Sequence, residues 1–96
     1  HITGGGFYEN IPRSLKAGCC ARIRKADVRT PALFRVLAEE GNIPERDMFN
    51  TFNMGVGMVL TVAAEDADRA IEILKANGQD AYRLGAIAEG EGVELV

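Results

Sequence analysis

The 96 residues predict an α+β fold, a layer of mixed β-sheet with helices packed on it, related to ferredoxin-like topologies. Three observations carry that reading. Residues 19–24 and 56–63 repeat with the two-residue period of a strand, while the stretches after Thr30 and after Glu65 repeat with the period of a helix. From residue 56 to residue 87, strand, helix and strand follow one another in the order of a right-handed crossover unit.

Along the chain, residues 7–16 place Phe7, Tyr8, Ile11 and Leu15 on one helical face, but Pro12 interrupts it. A proline there has no N–H to bond back to Tyr8 and its ring crowds that carbonyl, so the spacing predicts a first turn, a break and a second short turn, ended by Gly18. Residues 19–24 set Cys19, Ala21 and Ile23 against Cys20, Arg22 and Arg24, the pattern of a half-exposed strand. Thr30 is a candidate N-cap, Pro31 the first helical residue and Gly41 the C′ residue of a helix burying Leu33, Phe34, Leu37 and Ala38. A shorter turn starts at Pro44, with Met48 and Phe49 as core contacts.

The strand with the strongest pattern is expected at residues 56–63, where Val56, Met58, Leu60 and Val62 face one way and Gly57, Val59, Thr61 and Ala63 the other. Both faces are nearly apolar, which predicts a central strand covered on each side. Glu65 and Asp66 then start a helix with Ala67, Ala70, Ile71 and Leu74 on its inner face, and Lys75 and Gly78 end it. Further strands are expected at residues 81–87 and 93–96, separated by a turn at residues 90–92.

Composition bounds the function. With 47% hydrophobic and 26% charged residues, a net charge of -3 and a pI near 5.1, the chain reads as one small domain, residues 1–96. A chain of this size buries about 60–68% of its unfolded surface, too little for two independent cores. No apolar run approaches the roughly 18 residues of a membrane span, and no secretion signal is visible. The acidity argues against nucleic acid as a partner. His1 and Ser14 are the single histidine and serine, and their spacing supports no serine–histidine–acid constellation. Cys19 and Cys20 are adjacent, without metal-ligand spacing, and read as reduced strand residues of a cytoplasmic protein. Arg22, Arg24, Lys25 and Arg29 read as the solvated side of the first strand, and Met48, Met54 and Met58 as core filler.

Two segments could carry chemistry. In the first, residues 1–10, Gly4, Gly5 and Gly6 allow positive φ and close approach to a ligand, so that successive N–H groups can gather an anion, with Thr3 adding a hydroxyl. A flexible turn is the competing reading. In the second, residues 51–58, a polar trio precedes two alternate glycines that bare one strand face. Equally, Gly55 and Gly57 only make room for a packed helix while Asn53 caps a turn. A glycine loop so near the first residue of the chain suggests a fragment of a longer protein.

The strings HITGGGFYENIPR and TFNMGVGM resemble the two signature stretches in the C-terminal domain of the aminoimidazole ribonucleotide synthetase family, the phosphoribosylformylglycinamidine cyclo-ligases. The closing AIEILKANGQDAYRLGAI is similar as well, so the resemblance covers nearly the whole chain. Phe7-Tyr8 stands where aliphatic residues are common in the family, and Met54 where a small residue or cysteine is expected; neither change removes a polar group. The resemblance implies ATP-dependent closure of the imidazole ring of formylglycinamidine ribonucleotide in purine biosynthesis, by a homodimeric enzyme. It also implies a preceding N-terminal domain, absent here, that holds most of the ATP and Mg²⁺ site, so this chain alone is expected to be inactive. By motif match, His1, Thr3, Gly4, Gly5 and Gly6 are the expected substrate or phosphate contacts, Asn10 and Arg13 position that loop, and Thr51 and Asn53 line the cleft. A free-standing ferredoxin-like binding or regulatory module, and a superfamily relative such as formylglycinamide ribonucleotide amidotransferase, are the alternatives.

Overall fold

The computed structural model describes all of residues 1–96 and is α+β, with four helices and a three-stranded mixed sheet. Helix α1 (Gly6–Asn10) runs into a 3₁₀ turn (Ile11–Ser14) that carries Pro12 in its first turn. The change of helix type falls at the expected break, because the proline cannot continue the α-helical bonding pattern. Strand β1 (Cys19–Ile23) follows, then α2 (Ala32–Gly41), α3 (Glu45–Thr51) and α4 (Ala67–Ala76), and finally β2 (Gly85–Glu89) and β3 (Gly92–Leu95).

The sheet order is β2-β1-β3, with β1 antiparallel to β2 and parallel to β3. Cys19 lies opposite Glu89 and Cys20 opposite Gly92, so the chain crosses from one side of β1 to the other between residues 89 and 92. Three residue steps of about 3.3 Å just span two inter-strand spacings, so this connection is nearly taut. Gly90 makes the crossing, with its N–H donating to the Gly18 carbonyl at 3.1 Å.

Several expectations are corrected. Residues 56–63 form no strand; the segment pairs with neither of the sheet's free edges, the outer sides of β2 and β3. The expected crossover unit is therefore not formed. Instead the segment is held by an Ile2 N–H bond to the Gly57 carbonyl (2.8 Å) and a Ser14–Thr61 hydroxyl pair (2.9 Å), and Met58, Leu60 and Val62 stay exposed. Met58 is therefore not core, whereas Met48 and Met54 are buried. The strand expected at residues 81–87 begins later, at Gly85, and the last strand spans Gly92–Leu95. The stretch before Gly85 is tied down by side chains: Tyr82 Oη accepts the Arg29 N–H and Arg83 pairs with Asp68.

Helix α2 has Pro31, not Thr30, at its N-cap, and Thr30 makes no capping bond. Asn42 adopts the left-handed C-cap conformation in place of Gly41, a role asparagine tolerates. The half-buried stripe of α2 is Phe34 and Ala38, with Leu33 and Leu37 turned outward. The core gathers Ile2, Phe7, Ile11, Ala21, Ile23, Val28, Met48, Phe49, Met54 and Val56, with the Phe7 and Phe49 rings edge to face at 5.0 Å.

Candidate functional site

The two segments singled out from sequence meet in space. Gly6 has φ +60 and lies so close to the C-terminal end of α3 that an added Cβ would collide with the Phe49 carbonyl oxygen and sit 2.8 Å from that of Phe52. The Ile2–Gly57 backbone bond joins the other ends of the two segments, and Asn50 Nδ2 donates to Glu9 Oε2 at 3.2 Å between them. Glu9 and Asn50 thus help join the two segments; Glu9 lies in the first signature stretch without a role assigned there, and Asn50 lies outside both.

The three consecutive glycines do different work. Gly6 allows the packing of α1 against α3. Gly5, at φ +97, stands against the Glu9 side chain, 2.8 Å from where a Cβ would go. Gly4 has ordinary φ, and a Cβ there would meet nothing within 4 Å. The N–H groups of Thr3, Gly4 and Gly5 donate to no protein acceptor, whereas the Gly6 N–H donates to the Thr3 carbonyl at 3.0 Å. Asn10 is buried under this loop, its Nδ2 donating to the carbonyls of Thr3 (3.3 Å), Gly4 (3.2 Å) and Gly6 (2.8 Å). Thr3 and His1 are exposed at its edge.

In the second segment, Thr51 is the exposed last residue of α3. Asn53 is half-buried and its Oδ1 accepts the Gly55 N–H at 2.8 Å, closing a turn in which Met54 takes φ +53. Gly55 lets the Pro31 ring approach, since a Cβ would run into Pro31 Cδ. Arg13 is exposed and has neither an ion pair nor a hydrogen bond to the glycine loop. The loop and the Asn53 turn are therefore brought together, with Asn10 inside and Arg13 apart.

Charge around the site is modest. Arg46 lies over the Tyr8 ring at 3.6 Å. Arg22, Arg24, Lys25 and Arg29 face Glu94, Asp27, Glu45 and Asp80, so that basic group is a paired, solvated face. The chemistry on offer is backbone N–H donation from an accessible loop, without a side-chain nucleophile positioned beside a base.

Residues 1–96 match the family described as AIR synthase related protein, C-terminal domain. The chain is 53% identical over 96 residues to the phosphoribosylformylglycinamidine cyclo-ligase of Lachnospira eligens, covering 99% of this chain and 28% of that protein. It is 51% identical over 96 residues to the protein of the same name from Caldicellulosiruptor bescii, again 99% and 28%. It is 47% identical over 95 residues to that of Staphylococcus aureus, 99% and 28%. The chain thus spans 28% of the length of these relatives.

Proposed function

Because this chain belongs to the AIR synthase related protein C-terminal domain family, we propose that it forms one wall of the active-site cleft of a phosphoribosylformylglycinamidine cyclo-ligase. The rest of the enzyme is an N-terminal domain that carries most of the nucleotide site and the homodimer contact, and the enzyme works in the cytoplasm. The observation that carries this reading is the meeting of the two signature segments through Gly6, Ile2 and Gly57.

The reaction uses ATP to phosphorylate the formyl amide oxygen of formylglycinamidine ribonucleotide. The amidine nitrogen attacks the activated carbon, the C–O bond to phosphate breaks, and the imidazole ring closes with release of ADP and phosphate. Such chemistry needs donors aimed at phosphoryl oxygens rather than a side-chain nucleophile. The free N–H groups of Thr3, Gly4 and Gly5 and the open space beside Gly4 suit a phosphate oxygen of either substrate. His1 and the Thr3 hydroxyl stand at the rim as further contacts, and Thr51 and Asn53 line the neighbouring wall. No three His, Cys, Asp or Glu side chains lie together as metal ligands; Mg²⁺ belongs on this reading mainly to the N-terminal domain, and none of the roles given to these residues runs through it.

Gly4→Val in the full-length enzyme is the decisive test, since that position has ordinary φ and room for a side chain. The fold should keep its melting temperature while kcat/KM for cyclisation falls about a hundred-fold, or about 2.7 kcal/mol of transition-state stabilisation, because the branched side chain fills the open space beside the N–H groups without removing them. Unchanged turnover would overturn the reading.

A further inference from the structure

Asn10 is the one buried polar residue of the chain outside backbone pairing, and all of its amide donation goes to a single loop. The three atoms facing Nδ2 are carbonyl oxygens, which accept and cannot donate, so the orientation of the amide is dictated by its partners. Two hydrogens serve three acceptors, with the shortest bond, 2.8 Å, going to Gly6.

The consequence lies on the opposite side of the loop. In a trans peptide the C=O and the following N–H point in opposite directions, and no peptide bond here is cis. Drawing the Thr3 carbonyl toward Asn10 therefore turns the Gly4 N–H away from it. The Gly4 carbonyl does the same for the Gly5 N–H. These are two of the N–H groups that find no acceptor in the protein. The Thr3 carbonyl takes the Gly6 N–H as well as Asn10, so its peptide plane is held from two directions.

We infer that Asn10 is a positioning residue, one that draws the glycine-loop carbonyls inward and so presents the Gly4 and Gly5 N–H groups outward to a phosphate-type oxyanion of the substrates. This rests on the proposed role of the loop in the cyclo-ligase. Flexible glycines would otherwise sample many orientations, and ordering them in advance lowers the entropic cost of binding. Asn10 does not touch substrate; it acts through the peptide planes.

Asn10→Asp in the full-length enzyme tests this, because it keeps the shape but sets a carboxylate against three carbonyls. Asn10→Ala serves if the aspartate variant does not fold, and Met48→Ala, buried on α3 and party to none of the Asn10 hydrogen bonds, controls for loosened packing around the α1–α3 contact. Each variant is assayed where circular dichroism shows it folded, reading KM for both substrates, kcat and the inhibition constant of inorganic phosphate. The Asn10 variants should raise KM for one phosphate-bearing substrate and the phosphate inhibition constant about ten-fold, with a smaller change in kcat, as expected for a lost buried hydrogen-bond donor. Met48→Ala should leave both constants within about two-fold, as for a stability change uncoupled from the site. Folded Asn10 variants with unchanged constants, or equal shifts in Met48→Ala, overturn the inference. If Gly4→Val impairs the enzyme while the Asn10 variants do not, the positioning role fails and the loop reading stands; if Gly4→Val has no effect, the loop reading itself fails.

Discussion

The first 56 residues and the last 40 are built differently. Every buried residue of the chain lies between Ile2 and Val56, whereas six of the nine exposed large hydrophobics, Met58, Leu60, Val62, Ile73, Ile87 and Val96, follow it and the other three, Leu33, Val36 and Leu37, sit on α2. The early half folds around the glycine loop, with Phe7 fully buried and α1 clasped to α3. Residues 55–62, α4 and residues 79–87 line a largely apolar cavity of about 740 Å³, together with Ile11, Leu15, Ala21 and Ile23 of the first half. The inner face of α4, Ala67, Ala70, Ile71 and Leu74, looks into it half-buried. Rigidity is thus concentrated where backbone geometry matters for the loop, because close packing and not hydrophobic composition is what immobilises a segment.

Substitutions in the two halves should separate them. Phe7→Ala removes a fully buried ring packed edge to face on Phe49 and is expected to cost about 3–5 kcal/mol, read from urea unfolding of the 96-residue chain. Gly6→Ala combines a positive φ with a collision at the Phe49 carbonyl, and a loss of about 1–3 kcal/mol is expected in the same experiment. A Gly6→Ala protein as stable as the parent would mean that α1 and α3 are not clasped as described. Arg29→Ala loses the stacking on Tyr82 and the exposed pair with Asp80, for about 1 kcal/mol or less, and the Asp80 share should shrink in high salt. The smallest effect belongs to Leu60→Ala, which at 55% exposure should stay within about 0.5 kcal/mol. A cost above about 2 kcal/mol there would show a core packed like the first half, and would erase the contrast.

Local features were legible where one residue type settles the backbone. Pro12 ended α1, and residues 19–23 form β1 as their alternation predicted, except that Cys20, expected on the open side with Arg22, is buried. The short helix after Pro44 buries Met48 and Phe49 as its spacing required. The glycine loop and the Asn53 turn could be picked out as unusual strings, but not the bonds that join them. Residues 56–63 show the reverse case. Their alternation is real, yet a strand exists only when a neighbour supplies donors and acceptors, and this segment pairs with neither outer strand of the sheet, β2 or β3.

By itself, the sequence determined the helix-forming stretches, the breaks at proline and glycine, the α+β class and, through two long strings, the family. Those depend on local backbone preference and on identity along the chain, which need no partner in space. Only the tertiary structure decided that Gly6 is a packing residue while Gly4 is open, that Asn10 is occupied by three loop carbonyls, and that Asn53 closes a turn. The physical reason is that a hydrogen bond or a steric contact belongs to a pair of groups, and the identity of the second group is set by the fold.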